Sequence, residues 1–282
     1  MISKGIVFIL IATFAFAIMN AMAKELSEFD PMQVVFFRAF GTFAFIFPTM
    51  LLHKIPIIGN NPKYLFLRGL VGVISLSTFF MALQKVPLGS AISIRYLGPI
   101  FGVVMAAFFL KEKVKNLQWL SFIIAFSGVI VLKGFDIRID RLSFVLLLIS
   151  ALFVGMVFVL VRYLSSKEHY LTIINYFMVV SILFSLLFIN SWRMPIGNEW
   201  YPVLGIGVLG LIGQVFMTRA FQTENTSMLA PFKYMELVWA LIMGYFLFGE
   251  SYSWLPLLGI ILIIVGMMLN VYSKNKKQIA PK

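Results

Sequence analysis

Long apolar runs alternate with short polar connections along the whole chain, and each run has the length of a membrane span. At about 20 residues per span, the pattern predicts ten helices, at 4–22, 32–52, 64–84, 88–110, 116–133, 142–162, 171–190, 200–219, 227–248 and 254–273. The connections carry helix breakers: Asp30-Pro31, Gly59-Asn60-Asn61-Pro62, Val86-Pro87-Leu88-Gly89 and Met194-Pro195-Ile196-Gly197. None of them has room for a soluble domain. The first run, Gly5 to Met22, is span-length and reads as a retained anchor, although Ala21-Met22-Ala23 resembles a cleavage site.

Sliding the chain by 138 positions aligns residues 63–133 with a second copy of the same pattern. Gly69 falls on Gly207, Gly72 on Gly210, Gln84 on Gln222, Tyr96 on Tyr234, Glu112 on Glu250 and Gly128 on Gly266. Arg95 falls on Lys233, so each half places a cation followed by Tyr inside an apolar run. Weak internal symmetry of this kind marks transporters built from two repeats. Five helices per repeat is an odd number, so the second copy enters the membrane inverted. The expected fold is an all-α integral membrane protein with ten transmembrane helices in two inverted five-helix repeats. Residues 1–137 form the first repeat, 138–273 the second, and 274–282 a basic tail. The paired glycines are expected to permit close helix approach.

Composition agrees with this pattern. The 282 residues are 61% hydrophobic and only 12% charged, against roughly 25% charged in soluble domains. With no Cys, and with His53 and His169 both in predicted loops, no metal or cofactor site is expected. A net charge of +12 would suit nucleic acid only on a soluble basic surface. Here the cations sit between apolar runs, facing lipid headgroups. One side collects thirteen Lys and Arg (Lys4, Lys54, Lys63, Lys111, Lys113, Lys115, Arg162, Lys167, Arg219, Lys274, Lys276, Lys277 and Lys282). The other collects six: Lys24, Lys85, Lys133, Arg138, Arg141 and Arg193. The positive-inside rule then places both termini in the cytoplasm of a cell whose inner membrane holds the protein.

The remaining four cations lie inside spans, where a charge costs about 2.5–3.5 kcal/mol on insertion scales. Arg68 is six residues into its span and is expected to snorkel to the headgroups. Arg38, Arg95 and Lys233 lie deeper, with Glu236 the one deep carboxylate. Three deep cations against one anion leave positive charge for an anionic or zwitterionic solute. Pro99 removes an N–H and clashes with the carbonyl of Arg95, so a kink is expected there; Pro231 breaks the equivalent helix two residues before Lys233. Arg95 and Lys233 are expected to flank a shared cavity. Tyr96, Tyr234 and Trp239 offer rings to a planar or cationic group. Asn20, Asn175 and Gln214 supply neutral polar groups along the pathway. Glu236 feels the apolar interior and Lys233 in opposite senses, which makes it the candidate proton-responsive group. Glu112 and Glu250 are expected to cap the helices that follow them.

Several stretches together resemble the EamA family of the drug/metabolite transporter superfamily. They are Asn20-Ala-Met-Ala-Lys24, Phe36-Phe-Arg38, Ile94-Arg-Tyr-Leu-Gly-Pro99, Phe109-Leu-Lys-Glu112, Leu229-Ala-Pro-Phe-Lys-Tyr-Met-Glu-Leu-Val-Trp239 and Phe248-Gly-Glu250. The resemblance implies ten helices, inverted repeats, a central cavity and transport of small metabolites. The first two helices are similar to S-adenosylmethionine uptake carriers. Arg95 and Lys233 are similar to the paired cations of plastid organic-phosphate translocators. The leading function is therefore a secondary carrier for an amino acid, S-adenosylmethionine, carboxylate or organic phosphate, working by alternating access. A lipid-modifying membrane enzyme is the alternative, for which Glu28 and Asp30 are a thin acid/base set; a channel is a third reading. Without a phosphate-binding loop, ATP drive is not expected. A homodimer is compatible with the sequence.

Overall fold

The computed structural model describes residues 3–109, 116–223, 229 and 232–275. Among them, the helices are α1 (Lys4–Glu25), α2 (Pro31–Leu52), α3 (Pro62–Leu83), α4 (Leu88–Arg95), α5 (Gly98–Phe109), α6 (Asn116–Phe135), α7 (Arg141–Ser165), α8 (Tyr170–Leu186), α9 (Trp200–Thr223), α10 (Met235–Phe248) and α11 (Trp254–Asn275). Among the described residues, eight segments are long and apolar enough to cross a membrane, and Tyr170–Leu186 and Met235–Phe248 are shorter apolar helices. Glu112, Pro231, the Gln222 side chain and residues 276–282 of the tail lie outside what is described.

Local chemistry sets the boundaries. Ser3 and Asp30 cap α1 and α2 by accepting from Ile6 N and Met32 N, and Pro31 and Pro62 occupy the first turns of α2 and α3. The seventh segment ends earlier than hydropathy suggests: α8 stops at Leu186, and Ile189–Ser191 form a 3-10 turn. The predicted kink in the fourth segment is a full break. The helix stops at Arg95, turns through Tyr96 and Leu97, and restarts at Gly98. Its counterpart breaks at Tyr234, the residue aligned with Tyr96.

Packing is reciprocal between the halves. Helix α1 lies on α9 and α3 lies on α7; α1 meets α10 and α5 meets α7; α2 meets α9 and α3 meets α8. Two further contacts, α2 with α8 and α6 with α11, map onto themselves. A pseudo-two-fold exchange of the halves relates these eight contacts. Glycines make the close approaches expected of them: a Cβ on Gly41 would sit 2.6 Å from the Gly207 Cα, and one on Gly128 would sit 2.6 Å from the Gly259 carbonyl. The outer surface is apolar, with Phe40, Phe45, Ile123, Ile130, Leu183 and Phe246 all exposed, as lipid contact requires. The two ends of the bundle are called below the Lys4 end and the Lys24 end.

Candidate functional site

The two broken helices meet at the centre of the bundle. Half-helices α5 and α10 start there, and unpaired N–H groups at a helix start favour negative charge. Glu236 stands in the first turn of α10. Its carboxylate accepts from Tyr96 Oη at 2.9 Å and from Asn20 Nδ2 at 3.2 Å. Tyr96 Oη also lies 2.9 Å from the Lys233 carbonyl, which the break at Tyr234 leaves without its normal helical donor. The Tyr96 and Tyr234 rings contact edge to face at 5.5 Å. Three of the predicted residues, Asn20, Tyr96 and Glu236, are thus joined by hydrogen bonds across the repeat boundary.

Arg95 and Lys233 flank this cluster without bonding to it. Arg95 lies over the Phe79 ring at 4.1 Å, and Lys233 Nζ lies 4.8 Å from the Phe158 centroid. Both are within electrostatic reach of Glu236. Among the described residues neither cation makes a hydrogen bond or an ion pair, so the static Lys233–Glu236 pair that their spacing allows is absent. Arg95, Lys233 and Glu236 are half-buried although they sit deep in the bundle. Hollows lie along Met50–Asn60 and beside Tyr64 and Tyr163.

The other predicted residues are less tightly gathered. Trp239 lies one turn beyond Glu236, edge to face with Phe14 at 5.3 Å, its Nε1 unpartnered. Asn20 Oδ1 is also unpartnered. Arg38 is 6% exposed and touches Met19 Sδ through Nε at 3.2 Å. Gly210 packs against Arg38, and Gln214 lies one turn further along α9, half-buried. Asn175 is buried in α8 with Oδ1 unpartnered and no bond to the cluster. Among the described residues no group of three metal-ligating side chains is assembled.

Two expectations need correction. Arg68 does not snorkel. It is 6% exposed, its guanidinium folds back over Gly72 and lies 4.3 Å from the Phe177 centroid. A side chain at position 72 would block that rotamer, and hydropathy reads depth without direction. Glu250 does not cap the helix that follows it. Gly249, at φ +62°, ends α10 and turns Glu250 back, so its two oxygens accept from Leu88 N at 3.0 and 2.9 Å. It therefore caps α4 of the other half. Lys24 Nζ pairs with it at 3.3 Å and also donates to the Val86 carbonyl. Tyr252, Ser90, Asp136 and Arg138 extend this network, with Ser90 Oγ donating to Asp136 at 2.9 Å and Arg138 Nε pairing with Asp136 at 2.8 Å.

Comparison with known proteins gives one consistent picture. The model of the EamA-like transporter family matches residues 3–133 and again residues 141–272. The pseudopaline exporter CntI of Pseudomonas aeruginosa is 31% identical over 98% of both chains. An S-adenosylmethionine uptake transporter of Rickettsia felis is 27% identical over 96% of this chain and 94% of its own. Human solute carrier family 35 member G1 is 24% identical, covering 97% of this chain and 81% of its own. A solved crystal structure shares the fold with a TM-score of 0.68 over 97% of each chain at 15% identity. The repeated match and the paired bundle agree: this is a multi-pass membrane transporter rather than an enzyme, and the chain belongs to the EamA-like transporter family.

Proposed function

We propose that this transporter is a secondary carrier moving a small anionic or zwitterionic metabolite across the bacterial cytoplasmic membrane by alternating access. The candidate solutes are an amino acid, S-adenosylmethionine, a carboxylate or an organic phosphate. The repeats 1–137 and 138–273 rock against each other, and both termini, with the tail 274–282, face the cytoplasm. The observation that carries the reading is the junction of the two broken helices. There a bonded Asn20–Glu236–Tyr96 cluster lies between the unpaired cations Arg95 and Lys233. A carboxylate or phosphate of the solute meets Arg95 and Lys233, an amine meets Glu236, and Tyr96, Tyr234 and Trp239 supply ring faces. Arg38, Asn175 and Gln214 line the approach. One relative is named for pseudopaline export and another for S-adenosylmethionine uptake. S-adenosylmethionine bears both an ammonium and a carboxylate, which is the charge pattern this cluster complements.

A thermal-shift screen against amino acids, S-adenosylmethionine, carboxylates and organic phosphates identifies the solute, because binding to the folded state raises stability. Transport of that solute into liposomes is then measured for Arg95→Gln and Lys233→Gln. Both variants are expected to fold and to lose transport on the order of 100-fold, the cost of stripping one partner from a buried charge pair. Full transport by the double variant would overturn the reading.

Proton coupling through Glu236 belongs to the same proposal. Tyr96 has one hydroxyl hydrogen and two acceptors, each at 2.9 Å. Both contacts are satisfied together only when Glu236 carries a proton and donates to Tyr96 in turn. An anionic group that draws Lys233 away from Glu236 makes that protonation easier, so proton and solute bind cooperatively; an ammonium at Glu236 displaces the proton instead, so the two compete. Wild type is expected to concentrate solute on an imposed pH gradient and Glu236→Gln is not. Wild-type flux that ignores the gradient would remove Glu236 as the coupling group.

A further inference from the structure

The central cluster leaves two guanidinium groups unengaged. Arg38 of α2 and Arg68 of α3, each 6% exposed, share the Phe177 ring of α8, at 5.7 and 4.3 Å from its centroid. Arg38 Nη1 and Arg68 Nε and Nη1 have no hydrogen-bond partner. No ion pair reaches either residue among the described residues. The other buried carboxylates are engaged: Glu236 with Tyr96 and Asn20, Glu250 with Lys24 and Leu88 N, Asp136 with Arg138 and Ser90. A guanidinium buried for structural reasons is normally satisfied by carbonyls or carboxylates. Here two of them converge on one aromatic ring, and among the described residues the one side-chain hydrogen-bond contact is Arg38 Nε to the Met19 sulfur.

We propose that Arg38, Arg68 and Phe177 form a second anion subsite, and that the transported solute is an amine bearing at least two carboxylates. This rests on the central cluster being the solute site. The planar fork of a guanidinium matches a carboxylate bidentately, and Phe177 holds both forks from behind. The Arg68 guanidinium lies at the level of Gly72, and Arg95 lies at the level of Phe79 on the same helix. Seven helical residues separate those levels, about 10 Å. Arg38 is within electrostatic reach of both Arg68 and Arg95, so it bridges the two subsites. An extended solute fits this row: one carboxylate at Arg38 and Arg68, the other at Arg95 and Lys233, and the amine at Glu236. A solute with a single carboxylate leaves one subsite empty.

The test compares 2-aminosuberate with 2-aminooctanoate, which replaces the distal carboxylate by a methyl, binding to the purified full chain in nanodiscs. Wild type is expected to bind 2-aminosuberate about tenfold or more tightly than 2-aminooctanoate. Arg38→Gln and Arg68→Gln are expected to bring that ratio to near one. Arg95→Gln weakens binding of both. Equal affinity of wild type for the two compounds, absent binding included, overturns the second subsite, and so does a preference that survives Arg68→Gln. Binding of both that is indifferent to Arg95→Gln and Glu236→Gln overturns the central site instead. A ligand-free measurement separates a waiting cation from a structural one. Arg68→Met is expected to melt above wild type, since an apolar chain of similar length replaces an unpaired charge. A lower melting temperature makes Arg68 a structural partner and overturns the proposal.

Discussion

The Lys24 end and the centre of the bundle use the same side-chain types to opposite ends. At the Lys24 end, Glu250 accepts from Leu88 N and pairs with Lys24, Asp136 is held by Ser90 and Arg138, and Arg138 stacks on Tyr252 at 4.8 Å. That end is closed by groups that satisfy each other. At the centre, Arg38, Arg68, Arg95 and Lys233 rest on aromatic rings and, among the described residues, find no carboxylate within ion-pair distance. Unpaired charge in a low-dielectric interior is costly. Charges left open at the centre are what the proposed solute site requires. On the alternating access proposed above, the bonds that bridge the repeats at Glu250 must break for the centre to open toward the Lys24 end.

The largest effect is expected from breaking the paired end. Glu250→Ala leaves Lys24 buried without its carboxylate and removes the acceptor of Leu88 N. Loss of one partner of a buried pair costs about 3–5 kcal/mol, read as a lowered melting temperature or denaturant midpoint. Lys24→Met in that background is expected to recover part of the loss, because it removes the stranded charge. No such rescue would mean that the pair does not hold the end closed. The corresponding removal of charge at the centre, Arg68→Met, moves stability upward. Opposite signs at the two regions are the sharpest form of the comparison.

What the chain discloses before folding divides along the same line. The ten segments were legible because each needs only its own apolar length, and caps such as Asp30 act within one turn. A kink at Arg95 was legible from Pro99, one residue from the break at Tyr96; the second break was expected at Pro231, outside the described residues, and is seen at Tyr234. Arg95, Lys233 and Glu236 stood out because charge inside an apolar run is conspicuous. Partnerships were not legible. Glu250 finds Leu88 N across 162 positions, and nothing near Glu250 in sequence names that donor. Arg68 was read as a headgroup cation because its six-residue depth permits snorkelling. Only Gly72, one turn on, hinted that the side chain folds inward, and that hint needs Phe177 of another helix to complete it.

The smallest effect is expected where pairing sits in water. Glu168, between α7 and α8, accepts from Asn60 N at 2.9 Å, Asn61 N at 2.6 Å and Asn61 Nδ2 at 2.8 Å, tying its loop to the α2–α3 loop. Burial works against its charge, but the Asn61 side chain and the two backbone donors outweigh that and hold the carboxyl below its ordinary range. A depressed folded value gives stability that is present above the unfolded carboxylate pKa and lost as the pH falls through the folded one. Water screens this clamp, so Glu168→Gln is expected to cost about 1 kcal/mol at neutral pH, well below the cost of Glu250→Ala. Protonated Glu168 resembles Gln, so the melting temperatures of wild type and variant should converge as the pH is lowered through the carboxylate range. A difference that persists in acid would assign the effect to packing, and depth would no longer be what separates the Glu168 clamp from the Glu250 network.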